Sequence, residues 1–360
     1  MPVTRRSDLS LLYKILRTFI RPMRPHLVTP KGKYPAGSPR LTKHPRRVGE
    51  VTITEREVLV PSTGNVFSTS FDTRINTQTE NIWIYDFHPP TTQTSSNSNA
   101  NTNANSPTQT IYYFAGGSFQ SPPSSSHWTF CAHIAAALGP SGSRVVLVSY
   151  PLAPHSPACD SLPLLRRWLA RTLGAEIDTD GVTLAGDSSG ANIALSLALW
   201  CAEQRAFAAA GTSADAMTGY LRLRRVKGVL VISPPVNLRA LNGKPKVVRA
   251  DAVDPVLGKW HADRVAEVWG AGSDVRDPYL SPGLADLKDL KTSKIAVNGV
   301  VGTADVLAPD ALAFMEKCEA EGVDGEWLVW EGQMHCFPLA ACYGLREGKE
   351  AREWILKTLQ

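Results

Sequence analysis

Apolar and polar residues change their spacing along this chain, and each change marks an element. Residues 8–20, DLSLLYKILRTFI, place Leu9, Leu12, Leu16, Phe19 and Ile20 on one helical face, with Ser10, Lys14 and Arg17 largely opposite. Arg21-Pro22 ends that helix. From residue 51 the pattern becomes that of strands. VTITEREVLV (51–60) alternates and IWIYDF (82–87) follows it. Then come TIYYFA (110–115), RVVLVSY (144–150), GVTLAG (181–186), GVLVIS (228–233), KIAVNGVVG (294–302) and EWLVWEG (326–332). The later runs are almost continuously apolar, as strands covered on both faces must be. Helical stretches fall between them at 124–138, 160–174, 189–210, 260–270, 308–322 and 345–359. Two leading strands followed by strand–helix alternation predict an α/β fold with a mostly parallel, eight-stranded sheet flanked by helices.

Two stretches break the alternation. TTQTSSNSNANTNANSPTQT (91–110) has no charge and no large apolar side chain, so it buries too little to offset the entropy of ordering. It is expected to be a disordered loop. Residues 240–285 are punctuated by Pro and Gly and carry Trp260 and Trp269. An excursion of that kind predicts a cap over the carboxyl ends of the strands. The expected organisation is a basic arm over 1–50 and a catalytic domain over 51–360.

Charge sharpens that division. The 360 residues carry a formal net charge of +5, with 43% apolar and 20% charged residues. Residues 1–50 hold 12 basic side chains against Asp8 and Glu50, which makes the arm +10 and the remaining 310 residues −5. A mildly acidic body lacks the positive face on which phosphate neutralisation depends, which argues against nucleic acid as a partner. No run of about 18 uninterrupted apolar residues offers a bilayer-spanning helix. The six cysteines have neither CxxC nor metal-ligand spacing, and free buried thiols are the default reading. Lys14 and Arg17 interrupt the first apolar stretch, so no secretion signal is predicted. A cytoplasmic, reduced protein is expected. The alternative location is a membrane surface or organelle, reached through weak contact by the basic amphipathic helix.

The sharpest chemical feature is GVTLAGDSSGANIALSLALW, where an apolar strand meets Gly186-Asp187-Ser188-Ser189-Gly190 and an apolar helix follows at once. This is G-x-S-x-G in a strand-to-helix setting, which projects Ser188 Oγ above the sheet at a helix amino terminus. Developing negative charge is favoured there. The competing reading is a tight turn with a capping serine.

Here the chain resembles the hormone-sensitive-lipase-like, arylacetamide-deacetylase-like branch of the α/β-hydrolases, over roughly residues 80–340. The anchors are YYFAGGSF (112–119), SYPLAP (149–154), GDSSGAN (186–192), DPYLSP (277–282), GTADVLAPD (302–310) and EGQMHCF (331–337). The resemblance implies Asp305 as the acid, with Asp310 as runner-up inside the following helix, and His335 as the base. Asp305 has a second reading as that helix's amino-terminal cap. The implied oxyanion donors are the backbone N–H groups of Gly116, Gly117 and Ser189. This chain departs from the family by carrying Ala115 where the loop histidine usually stands, and Pro151 and His155 in place of the usual Arg and Glu. The loop is then held differently, through Ser118 and Phe119, or catalysis is weaker.

The implied function is that of a serine carboxylesterase or deacetylase, hydrolysing its substrate through a Ser188 acyl ester with no cofactor and no metal. A small to mid-sized apolar ester is the expected partner, and Trp128, Phe130, Trp260, Trp269, Phe337 and the first helix are candidates for its pocket. The resemblance further implies that the amino-terminal arm joins the cap over the active-site mouth, with the apolar face of residues 8–20 inward. The Ser/Asn-rich insertion and variant oxyanion string resemble fungal esterases, some of which act on secondary metabolites. Two other functions remain open on the same scaffold. One is a weak or inactive ligand-binding pseudo-hydrolase; the other is an acyltransferase or cyclase.

Overall fold

The structure is a computed structural model describing residues 1–28, 30, 34–61, 79–90, 108–175, 181–210, 223–239 and 245–360. Ten strands form one sheet: β1 (Val3–Arg6), β2 (Arg47–Val48), β3 (Val51–Pro61), β4 (Thr79–His88), β5 (Gln109–Phe114), β6 (Ser143–Ser149), β7 (Gly181–Asp187), β8 (Val226–Ile232), β9 (Ala296–Ala304) and β10 (Trp327–Met334). Their order is β1-β10-β9-β8-β7-β5-β6-β4-β3-β2. Pairing is parallel from β1 through to β6, and antiparallel where β4, β3 and β2 are added. All eight strands read from the sequence are present. Most of the loop expected over 91–110 lies outside the described residues, as do 240–244, but Gln109 and Thr110 belong to β5 and not to a loop.

Ten helices are described: α1 (Leu11–Ile20), α2 (Arg24–Leu27), α3 (Ser125–Leu138), α4 (Ala158–Ala175), α5 (Ser189–Ala210), α6 (Pro245–Val253), α7 (Lys259–Trp269), α8 (Lys288–Thr292), α9 (Ala308–Glu321) and α10 (Arg346–Thr358). Strand periodicity divides the core between the two faces of the sheet. Along β5, Tyr112 and Phe114 pack with Trp168 and Leu169 of α4 and with α5, while Ile111 and Tyr113 pack with Phe130 and Ile134 of α3. Trp168 meets the Tyr112 ring edge-on, with centroids 5.2 Å apart. Among the described residues no helix is long and apolar enough to cross a membrane.

The amino-terminal arm is not a separate unit. β1 and β2 occupy the two edges of the sheet, so the boundary expected at residue 50 does not divide the fold. Between them α1 is pinned by Tyr13, which is fully buried and donates its hydroxyl to the Gly332 carbonyl at 2.9 Å. The expected inward apolar face holds only in part. Leu9 and Leu16 pack against the core, whereas Leu12 and Phe19 are exposed at 59% and 71%, because the helix turns Tyr13 toward β10 instead. Replacing Tyr13 by Phe should cost about 1 kcal/mol. Ala at that position leaves a cavity and should cost about 3–5 kcal/mol. Urea denaturation followed by circular dichroism measures both.

Candidate active site

The elbow after β7 is built from residues that only just fit. A Cβ on Gly190 would lie 1.9 Å from the Phe114 carbonyl oxygen, so no side chain is admitted where α5 crosses β5. Ser188 itself sits at φ 49°, a left-handed conformation that costs a non-glycine residue about 1–3 kcal/mol. Its amide is tied to the Ile232 carbonyl at 2.8 Å, which holds the strained turn in place. Among the described residues, five of the six non-glycine residues with positive φ lie around this point: Ser118, Phe119, Ser188, Ser233 and Cys336. Strain is therefore concentrated here rather than scattered.

Asp305 and His335 follow β9 and β10. His335 Nδ1 lies 2.7 Å from Asp305 Oδ2, and both side chains are buried. Asp305 Oδ1 also accepts the Leu307 amide at 2.9 Å in the turn before α9, but it does not cap that helix, whose N-cap residue is Leu307 with no side-chain cap bond. Asp310 lies in the first turn of α9, and Asp305 is the partner of the ring. Burial by itself would lower the His335 pKa, but the charge and hydrogen bond of Asp305, together with those of Cys336, outweigh it and hold the imidazole well above its ordinary value. Ser188 and His335 line one cavity of about 600 Å³. Among the described residues no hydrogen bond joins the Ser188 hydroxyl to the imidazole, a contact that often tightens only with substrate bound. A larger cavity of about 840 Å³ lies among Pro89, His133, Pro140 and Arg352 and contains none of these groups.

The loop after β5 is organised by Asp187, a residue whose part the sequence did not reveal. Its buried carboxylate accepts the Tyr113 hydroxyl at 2.7 Å and the Gly116 amide at 2.9 Å on Oδ1. His127 Nε2 of α3 lies 3.2 Å from Oδ2. The Ser124 amide donates to His127 Nδ1 at 2.9 Å, which leaves Nε2 as the nitrogen that donates to Asp187. Burial would raise the Asp187 carboxyl, but His127, Tyr113 and the Gly116 amide together hold it below its usual range. The Gly116 amide is thus committed to a carboxylate, unlike the free donor expected from the sequence. Gly117 and Ser189 border the same elbow with amides that no carboxylate claims.

The expectation that Ser118 and Phe119 hold the loop matches the geometry. Ser118 Oγ bonds His261 Nε2 of α7 at 2.9 Å. Phe119 stacks on Trp269, with centroids 4.3 Å apart and planes at 8°. Tyr150 adds a third tie, donating to the Ala115 carbonyl at 2.8 Å. Pro151 and His155 lie away from Ser188, beside Gly37, Glu80 and Arg167. Of the aromatic pocket candidates, Trp128, Phe130, Trp269 and Phe337 are buried in packing and Trp260 is exposed; none lines a cavity at Ser188.

A second buried carboxylate at the site was also missed. Asp254, just after α6, accepts the amides of Val256 at 2.7 Å, Leu257 at 2.9 Å and Val306 at 2.8 Å. It ties the 245–285 segment to the residue following Asp305. Burial, and next the Asp305 charge, push its pKa up to about 7.

With this geometry in view, the comparisons agree with the fold. A family model described as the alpha/beta hydrolase fold matches residues 111–339, and the chain belongs to that family. An acetyl-hydrolase from Streptomyces hygroscopicus is 30% identical over 231 residues, which is 63% of this chain and 67% of that protein. An esterase from Gibberella moniliformis is 24% identical over 251 residues, covering 68% of this chain and 71% of its own length. Among solved structures, an esterase from the bacterial hormone-sensitive lipase family superposes with a TM-score of 0.66 at 19% identity, covering 98% of this chain and all of that one.

The electrostatics give a direct check. In NMR titration the His335 ring should titrate well above the roughly 6.5 of an ordinary histidine. Asp305→Asn removes the charge that raises it, so the midpoint should move to lower pH. An unmoved midpoint would contradict the assignment.

Proposed function

We propose that the protein hydrolyses carboxylic esters of small to mid-sized apolar substrates by an acyl-enzyme route. The observation that carries this reading is His335, paired with the buried Asp305, sharing one largely apolar cavity with a strained serine at a helix amino terminus. Ser188 Oγ attacks the ester carbonyl while His335 Nε2 takes its proton, and Asp305 fixes the ring tautomer and offsets the imidazolium charge. The amides of Gly117 and Ser189 stabilise the oxyanion. His335 gives the proton to the departing alcohol oxygen. Water then attacks the acyl carbon, loses a proton to His335, and the proton returns to Ser188 Oγ as the acid leaves.

Asp187 and His127 act through the loop and not on substrate, so they are positioning residues. His127 supplies from α3 a donor in a loop that carries Ala115 in place of the usual histidine. The arm residues Leu16, Ile20 and Leu27, with Val256 and Leu257 of the 245–285 segment, line the cavity and act together as its cap. The names of the acetyl-hydrolase and esterase relatives support the reaction class.

Ser188→Ala should lower kcat for p-nitrophenyl acetate by at least about 10⁴-fold and abolish labelling by a fluorophosphonate probe. Wild type that neither turns over an ester nor labels at Ser188 would sink the reading. His127→Ala should lower kcat roughly 10- to 100-fold with KM little changed, since one misplaced oxyanion donor costs up to about 10³-fold. His127→Gln, which keeps an N–H donor, should recover much of the loss. Equal losses in both variants would mean that His127 only packs.

A further inference from the structure

α1 holds one apolar row outside the protein. Leu11, Ile15 and Phe19 recur every four residues, one above the other along the helix, and all three are exposed. Leu12 beside them is exposed as well, and Met23 and Leu27 extend the surface past the end of the helix. Among the described residues, half of the twelve large apolar side chains left exposed lie within residues 11–27. Crowding of that kind marks a surface that meets something, whereas single exposed leucines need no explanation.

Turning the helix cannot hide this row. On the opposite side Tyr13 is fully buried with its hydroxyl on the Gly332 carbonyl, and the buried Glu347 carboxylate takes the Ser10 amide at the amino-terminal end. A rotation that buried Phe19 would pull Tyr13 out of the core.

Charge indicates what the row faces. From residue 9 to residue 49 the sequence holds ten Lys and Arg side chains and no Asp or Glu. Lys14 and Arg21 are exposed beside the row, and among the described residues neither is joined to a carboxylate. Asp8, the nearest acid in the sequence, is taken by Arg6 and Arg346. An anionic bilayer complements such a surface: its acyl chains accept the row, and its headgroup phosphates face the cations. A second copy of this chain fits it poorly, because a face-to-face pair would set Lys14 and Arg21 against their own equivalents.

We propose that α1 and the turn after it dock on the surface of a bilayer containing anionic lipid, with Leu11, Ile15 and Phe19 among the acyl chains and Lys14 and Arg21 at the phosphates. The ten residues of α1 rise only about 15 Å, roughly half the hydrocarbon thickness, so the helix lies in the interface and does not cross it. Its neighbouring row, Leu12, Leu16 and Ile20, leads into the candidate site, since Leu16 and Ile20 line the cavity that holds Ser188 and His335. A docked α1 therefore sets that cavity beside the lipid. Docking is read by partition and not by turnover, so it stands or falls apart from the ester-hydrolase reading.

The full chain is mixed with vesicles of phosphatidylcholine, alone or with phosphatidylglycerol, and centrifuged at low and high salt. We expect the protein to pellet with the anionic vesicles and to be released by salt. Leu11→Glu and Phe19→Glu should each lower the partition constant at least about tenfold, because burying one such side chain is worth roughly 10- to 150-fold. The double variant Lys14→Gln, Arg21→Gln should lower it about 20- to 30-fold on anionic vesicles, roughly fivefold per cation, and leave it unchanged on neutral ones. All four side chains are exposed, and an unchanged circular dichroism spectrum confirms that each variant folds. No binding to either vesicle, equal binding to both, or binding that the Glu variants leave unchanged would overturn the inference. So would a wild-type dimer in analytical ultracentrifugation that Phe19→Glu splits, because the row would then belong to a second copy.

Discussion

A carboxylate buried beneath the loop after β5 is the constraint on which this site depends. Taking an ion of that kind out of water costs several kcal/mol unless its oxygens are fully engaged. Asp187 meets that demand with a strand hydroxyl, a loop amide and a helix imidazole: Tyr113, Gly116 and His127. Because Asp187 directly precedes Ser188, satisfying its charge also fixes the distance between the elbow and the loop. A Cβ at Gly116 would come within 2.4 Å of Asp187 Oδ2, so the glycine is needed there for the approach itself. The strained φ angles nearby are tolerated because this buried network over-determines them.

The second layer of support comes from outside the sheet. α7 grips the same loop through His261 and Trp269, while Asp254 connects the preceding segment to the acid turn at Val306. α1 is anchored by Tyr13 to the carbonyl of Gly332, three residues before His335. The arm and the 245–285 segment meet directly, with Arg24 donating to the Asp251 carbonyl at 3.0 Å. The walls that define substrate volume are thus mechanically joined to the groups proposed to perform the chemistry. In this arrangement selectivity and loop placement are not independent properties.

What could be read from the sequence follows from what is local in it. Ser188 was legible because its strand, turn and helix are contiguous, and Asp305 and His335 because each ends an apolar run in a recognisable order. Gly116 was read as a free donor because nothing local reveals that Asp187, 71 positions later, claims its amide. His127 was invisible for the same reason; a lone histidine near a helix start carries no sign of a partner 60 residues away. β1 escaped because Val3–Arg6 is short and contains two arginines, so its pairing with β10 is dictated by backbone register rather than by an apolar pattern.

The central claim is that Ser188 carries the acyl group through the reaction, in a site held by the Asp187 network. Rapid acid quench of the wild-type enzyme mixed with p-nitrophenyl acetate, followed by peptide mass spectrometry, tests it most directly. The account predicts an acetyl group on the peptide containing Ser188, formed as fast as p-nitrophenol is released. Release of p-nitrophenol with Ser188 unmodified, or with the acetyl group on another side chain, would contradict it.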